Sequence, residues 1–304
     1  MLDCEIRQLS PNTMSLRRTL LGKFIWFLED GDYELCDEQA VREFLAYLNT
    51  GHRQKGGRWG NEQLTRPLRP KSVRNYYSEL AALFRYLIAE GVLTESPLEG
   101  INRPIVRQDQ IQPFTADQIR ALVAASKRTE CPRRDEAIVL FLLDTGARAS
   151  EVCSLRVADV DLSQRKCTVL GKGNKRRQVY FGPTTARAIL KYLAEVPHND
   201  DSPLFISLRG TRYCEGISRH GLGDMVGRLG KLARLQGVRC SPHTFRHTFA
   251  INFLRRGGNV FTLKELLGHT ALYMVNRYVA LAQADLEAQH RQYSPVEGIV
   301  GRAR

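Results

Sequence analysis

His243-Thr-Phe-Arg246-His247-Thr-Phe-Ala250-Ile-Asn-Phe253-Leu254 is the stretch on which the reading of the fold turns. Phe249, Ile251, Phe253 and Leu254 mark core packing, so residues 243–256 are expected as a helix held against its neighbours. The same helix carries two imidazoles and a guanidinium near its start. His243 and His247 stand four residues apart, as in a zinc helix, but Thr244 follows His243 where such helices carry Glu, and Arg246 would turn positive charge on the metal. No metal or other cofactor is expected.

Outward from this helix, Leu266-Leu-Gly-His269 ends a helix expected at 260–267, and Tyr278 follows nine residues later in one expected at 271–279, with another at 283–290. Upstream, Ile138 to Leu143 is an almost wholly apolar run inside a buried helix at 135–144, followed by Gly146 and then Arg148-Ala-Ser-Glu151. Alternation at 157–161, 166–170 and 178–181 predicts three short strands around the basic turn Gly171 to Arg177. Helices are expected again at 183–195 and 216–236. Gly171-Lys-Gly-Asn-Lys lacks the spacing of a nucleotide-binding phosphate loop.

The first third is helical too. Leu16, Leu20, Phe24, Phe27 and Leu28 give helical spacing over 13–29, and Val41, Phe44, Leu45 and Leu48 do so over 39–48. The pattern breaks from His52 to Arg69, where Gly56-Gly57, Gly60, Pro67 and many cations predict a loop or hairpin tip. Pro70-Lys71-Ser72 then opens a helix with one apolar stripe from Val73 to Ile88, closed by Gly91. Pro97, Pro104 and Pro113, with little periodicity between them, place a linker at 101–113 between a domain at 1–100 and a second at 114–304. Thr115 and Gln118 form the N-cap and capping-box positions of the helix that follows. The fold class is therefore mainly α with a small antiparallel sheet.

Composition limits the partners. The 304 residues carry 45 Lys and Arg against 32 Asp and Glu, a formal charge of +13, which favours a polyanion through counterion release. Seven cysteines, an odd number without a CxxC pair, suit a reducing compartment. The chain has no apolar run of membrane-spanning length, and acid rather than base in Met1-Leu-Asp-Cys-Glu5, so a cytoplasmic protein without membrane contact is expected.

Together the separated segments supply a phenol, two guanidiniums, two imidazoles and an ammonium. Cleaving a DNA strand while keeping the bond energy for rejoining needs a nucleophile that stays on phosphorus, and Tyr278 suits that task. A free phenol has a pKa of about 10, so cationic neighbours must stabilise the charge it develops. Arg148 and Arg246 offer forks that match two non-bridging phosphate oxygens. His243 and His269 can donate to those oxygens or move the tyrosyl proton, and Lys172 on the hairpin can protonate the leaving 5′-oxygen. Singly, each has an ordinary reading: a core tyrosine, surface cations, and in Glu151 a first-turn acid favoured by the helix dipole.

In combination they resemble the tyrosine recombinase, or phage integrase, superfamily. Asp144-Thr-Gly-Ala-Arg148-Ala-Ser-Glu151-Val-Cys-Ser-Leu155 looks like the family's first arginine box, Gly171-Lys172-Gly-Asn-Lys like its lysine hairpin, and His243-Thr-Phe-Arg246, Leu266-Leu-Gly-His269 and Tyr278 like its second box. The resemblance spans about residues 114 to 290. It implies a 3′-phosphotyrosyl link at Tyr278 and a freed 5′-hydroxyl that attacks the partner strand. It also implies four protomers, of one recombinase or two, exchanging strands on paired sites in double-stranded DNA, without metal or ATP. Glu151 matches an acidic residue that supports the site from behind, and the N-terminal helices resemble a core-binding, SAM-like module that closes a C-shaped clamp over the duplex. By the same resemblance the tail from about Asp285 docks on a neighbouring protomer; the alternative is an ordinary frayed terminus. Two departures stand out: Val275 where many members have Thr or Ser, and Val279-Ala280 where many have a Thr-His pair. No arm-binding domain is expected ahead of residue 13.

Two basic clusters are candidate DNA contacts. Arg53, Lys55, Arg58, Arg66, Arg69, Lys71 and Arg74 face a single acid, Glu62, between residues 51 and 77, and Lys175, Arg176 and Arg177 extend the hairpin cluster around Lys172. The expected function is a site-specific recombinase of the integrase or transposase type. The alternatives are a Xer-type resolvase of chromosome dimers, a DNA-binding regulator without chemistry, and a topoisomerase-like nicking and resealing enzyme.

Overall fold

Phe24, Phe44, Tyr76 and Phe84 meet in the first of two compact units, Met1–Asp109 and Gln110–Arg304. The computed structural model describes residues 6–52, 56–106, 111–171, 176–207, 215–269, 271–282, 290, 294 and 296. Helix α1 spans Pro11–Asp30, α2 Glu38–Asn49 and α3 Pro70–Ala89. Ser10 and Asp37 cap the first two by accepting from backbone N–H groups, and proline at the start of α1 and α3 supplies a preset φ where no intrahelical donor is needed. Val41, Phe44 and Leu48 on α2 are fully buried against Val73, Leu80 and Phe84 on α3. Each such side chain contributes about 1.5–3 kcal/mol by leaving water.

The segment between α2 and α3 is anchored where it is described. Trp59 packs on Phe44, Tyr47 and Tyr76 with ring centroids 5.2–6.2 Å apart, its backbone N–H donates to the Tyr47 hydroxyl at 2.9 Å, and Lys23 stands 5.3 Å above its ring. This corrects one expected DNA contact. Arg58 is buried, 6% exposed, and donates from Nη1 to the Arg66 carbonyl at 2.6 Å, so it holds the segment together from inside. Arg66, Arg69 and Lys71 are exposed and Arg74 is half-buried, while Arg53 and Lys55 lie outside the described residues.

In the second unit, α4 spans Ala116–Ser126 behind the reciprocal Thr115 and Gln118 capping box. Helix α5 (Pro132–Thr145) runs through the core with Ile138, Val139, Phe141 and Leu142 fully buried, and ends at Gly146, whose φ of 60° is the left-handed conformation that glycine tolerates. After α6 (Ala149–Ser154) come β1 (Val160–Asp161), β2 (Lys166–Leu170) and β3 (Arg176–Tyr180), paired antiparallel in that order. Cys167 lies opposite Val179 and Val169 opposite Arg177. Helices α7 (Pro183–Leu193), α8 (Arg219–Leu232), α9 (Pro242–Arg255), α10 (Val260–Leu267) and α11 (Tyr273–Ala282) complete the described elements.

Two elements depart from their expected boundaries for a visible reason. Residues 157–159 form a 3-10 turn rather than strand, because Asp159 accepts from the Arg156 N–H and the Val157 and Ala158 N–H groups bond to Ser202 and Asp200 carbonyls. Helix α8 starts late because Ile217 donates to the Phe205 carbonyl before Ser218 caps the helix, and it stops where Arg234 takes φ of 52°. The helix expected at 283–290 and the tail beyond it lie outside the described residues, apart from His290, Ser294 and Val296.

Helix α9 stands between two cores. Phe245 enters the main one and packs edge-on against Phe114 at 5.0 Å, whereas Ala250, Ile251 and Leu254 enter a second core with Leu263, Leu267, Val275 and Tyr278. Arg246 and His247 are at the junction.

Candidate active site

Three guanidiniums converge on the last turn of α10. Arg177 Nη1 donates to the Leu266 carbonyl at 2.5 Å, Arg246 Nη2 to the Leu267 carbonyl at 2.7 Å, and Arg148 Nη2 to the Gly268 carbonyl at 2.9 Å. These carbonyls lack intrahelical partners and sit at the negative end of the helix dipole, which draws cations. Gly268, at φ of 63°, turns the chain there, and a Cβ at this position would lie 2.7 Å from Arg177 Nε. At the other end of its fork, Arg246 Nη1 donates to the Gly146 carbonyl at 2.8 Å.

Glu151 ties two of the arginines together. Its carboxylate has no exposed surface and accepts from the Arg148 N–H at 2.7 Å, Arg148 Nη1 at 2.8 Å and Arg177 Nη2 at 2.7 Å. A buried carboxylate so satisfied fixes both guanidinium planes. Arg177 therefore corrects a second expected DNA contact: strand alternation turns it inward with Val179, onto Glu151, while its neighbour Arg176 is exposed.

Tyr278 is 5% exposed on α11, and its hydroxyl lies 2.9 Å from His247 Nδ1. The His269 ring is nearly parallel to the phenol, with centroids 6.4 Å apart and planes at 12°, and its Nε2 faces Arg246 Nη2 at 2.9 Å. Because a guanidinium only donates, Nε2 must accept, which leaves the proton on Nδ1. That Nδ1 is buried and has no hydrogen-bond partner among the described residues.

Burial dominates the electrostatics. It pushes the Tyr278 phenol above its ordinary value, against the opposing pull of Arg246, Arg277 and Arg148. It brings Arg246 down to about 10, with Arg148 adding repulsion, so the guanidinium stays charged at neutral pH. His247 is lowered to about 4 by burial and then by His243, Arg277 and Arg246, and His269 to about 4 by burial and then by Arg246, Arg148 and Arg177. Both imidazoles are neutral at pH 7. The site is a fixed cationic pocket around a protonated phenol.

Residues 112–285 match the phage integrase family. The chain belongs to that family. It is a tyrosine recombinase, a site-specific enzyme that cleaves and rejoins DNA strands. The recombinase is 31% identical to the tyrosine recombinase XerC of Pelobacter propionicus over 90% of this chain and 85% of that protein. It is 29% identical to the XerC of Anoxybacillus flavithermus over 91% and 89% respectively. Among solved structures, the Tn1549 transposon integrase in complex with circular intermediate DNA superposes with a TM-score of 0.70 at 19% identity, covering 95% of this chain and 96% of that one.

Of the residues expected at the recombinase's site, Arg148, Arg246, His269, Glu151 and Tyr278 are brought together. His243 is exposed on the first turn of α9, and Lys172 and Lys175 lie outside the described residues. Among the described residues, no group of three or more His, Cys, Asp or Glu side chains is placed to hold a metal ion. No described helix is long and apolar enough to cross a membrane. The departure at Val275 has a packing role: the side chain is fully buried and, with Tyr278 and Ala282, docks α11 on the second core. Two site residues were given other roles by sequence reasoning. Arg177 could have been found from its alternation with buried Val179. His247 was weighed only as a metal ligand, and its contact with Tyr278 has no local signal.

Proposed function

We propose that Tyr278 is the nucleophile of strand cleavage, attacking the scissile phosphate to form a 3′-phosphotyrosyl link and release a 5′-hydroxyl. The observation that carries this reading is the placement of the Tyr278 ring beside His269, whose Nε2 binds Arg246, within a pocket charged by Arg246 and Arg148. Arg148 and Arg246 stabilise the non-bridging oxygens, each preorganised donor contributing roughly 3–4 kcal/mol to the transition state. The His269 Nδ1–H, without a partner among the described residues, is a further donor; left buried without an acceptor it costs about 1–3 kcal/mol, which a phosphate oxygen would relieve. His243 contributes from the start of α9, and Lys172 acts as the acid for the leaving 5′-oxygen. Glu151 positions Arg148.

The first unit tracks the duplex through Arg66, Arg69, Lys71 and Arg74, and Arg176 adds a contact from the second. Four protomers act on paired sites in the cytoplasm. A second reading, a Xer-type resolvase, is favoured by similarity to XerC proteins along about nine-tenths of the chain. It differs from the integrase or transposase reading in the sites joined rather than in the chemistry.

The test is capture of a covalent adduct. The full chain is incubated with a randomised duplex library nicked so that cleavage loses a short fragment, and protein-linked DNA is recovered after denaturation and sequenced. The wild type is expected to capture a defined sequence, and Tyr278→Phe to bind DNA without linking to it. Absence of any wild-type adduct, or equal capture by Tyr278→Phe, overturns the proposal.

A further inference from the structure

Cleavage by Tyr278 releases the phenolic proton, and the structure offers a specific acceptor. We infer that His247 takes this proton through Nδ1 during cleavage and returns it during rejoining, an inference that rests on Tyr278 being the nucleophile. The hydroxyl lies 2.9 Å from His247 Nδ1, within the distance required of a general base. His269, the other imidazole beside the phenol, is unsuited: its Nε2 already accepts from Arg246, so its Nδ1 bears hydrogen. His247 has the complementary tautomer open to it, with hydrogen on Nε2 and a lone pair on Nδ1.

The two partners are held by separate anchors. On α9, the residues flanking His247 are buried: Arg246 is fixed by the Gly146 and Leu267 carbonyls, and the Thr248 hydroxyl accepts from the Phe114 N–H at 2.9 Å. On α11, Val275 and Ala282 are buried one turn to either side of the phenol. The hydrogen bond therefore joins two positioned side chains rather than two mobile ones.

The step balances without a co-reactant beyond those already named. As the Tyr278 oxygen bonds to phosphorus, its O–H bond breaks, the electron pair stays on oxygen and the proton passes to Nδ1. The bond from phosphorus to the 5′-oxygen breaks with its electrons on that oxygen, which takes a proton from Lys172. Rejoining reverses this, with imidazolium His247 reprotonating the departing phenolate. The imidazole begins neutral because burial and His243, Arg277 and Arg246 disfavour its charge, and the arriving phosphate brings the negative charge that offsets them.

The experiment compares single-turnover adduct formation by the full chain on the captured, nicked duplex. His247→Asn keeps an oxygen near the Nδ1 position that can accept the hydrogen bond but not the proton, and His247→Gln serves as a second variant. Circular dichroism and DNA binding establish that each is folded. The expected result is a rate about 10²-fold or more below wild type in both. Replacing Tyr278 by 3,5-difluorotyrosine, a more acidic phenol, should then restore most of that loss, whereas a sulfur at the bridging 5′ position, which relieves the need for a leaving-group acid, should not. A folded variant that cleaves at the wild-type rate, or faster because the contact merely parks the tyrosine, overturns the inference. So does failure of the fluorinated tyrosine to restore the rate, or restoration by sulfur. Absence of an adduct from the wild type would instead remove the nucleophile assignment itself.

Discussion

Replacing Glu151 by Ala removes the carboxylate that holds Arg148 and Arg177. Three donors lose their acceptor: the Arg148 N–H, Arg148 Nη1 and Arg177 Nη2. Each costs about 1–3 kcal/mol if it stays buried and unpaired. Arg148 is 28% exposed at its side chain and can recover water, whereas Arg177 is 13% exposed and cannot readily do so. A value near the lower end of the summed range is therefore expected, about 3–5 kcal/mol, in line with the cost of removing one partner from a buried ion pair. Against a domain stability of roughly 5–15 kcal/mol this is a large loss. Both tryptophans, Trp26 and Trp59, belong to the first unit, so their emission reports that unit alone. The second unit should be followed by far-ultraviolet circular dichroism and by hydrogen exchange in α9 and α10 during urea unfolding. Glu151→Ala is expected to lower stability in α9 and α10 while the tryptophan transition moves little. A change below about 1 kcal/mol, the scale of a solvated surface pair, would refute the view that these charges are buried and mutually dependent.

Gly268→Ala should destabilise the second unit by roughly 1–3 kcal/mol in the same urea assay, because the backbone is at φ of 63° and the added methyl would meet Arg177 Nε, which Glu151 and Leu266 prevent from yielding. Arg246→Lys cannot span the Gly146 and Leu267 carbonyls and His269, so adduct formation should fall by about 10²–10³-fold while DNA is still bound. His247 and His269, lowered from 6.5 to about 4, bind fewer protons folded than unfolded between those values; the urea midpoint should fall as pH drops from 6.5 to about 4, and less steeply when both are Asn. Replacing exposed Arg66 and Arg69 by Ala should lessen the slope of log affinity against log salt by about 1 each, with little effect on stability, whereas Arg58→Ala should destabilise the first unit.

Local rules carried much of the chain. Helical spacing located α1, α2, α3 and α9, capping chemistry placed Thr115 and Gln118, and alternation found β2. They served because each depends on neighbours within a few residues, whose geometry φ and ψ already fix. The order of Arg148, Arg246, His269 and Tyr278 was legible for a different reason: those residue types together match one phosphoryl chemistry.

Tertiary packing decided what neighbouring residues of like charge or type do. Arg176 and Arg177 are equivalent as letters, yet the pleat exposes one and turns the other onto Glu151, twenty-six positions away. Arg58 and Arg66 belong to one basic run, yet the first is sealed beneath the backbone of the second. His243 and His247 lie one turn apart on α9, and only the seating of α11 on that helix selects His247 as the partner of Tyr278. Charge and identity are written residue by residue, but burial and reach depend on groups far along the chain, and these set which side chain is held as structure and which meets the reacting atom.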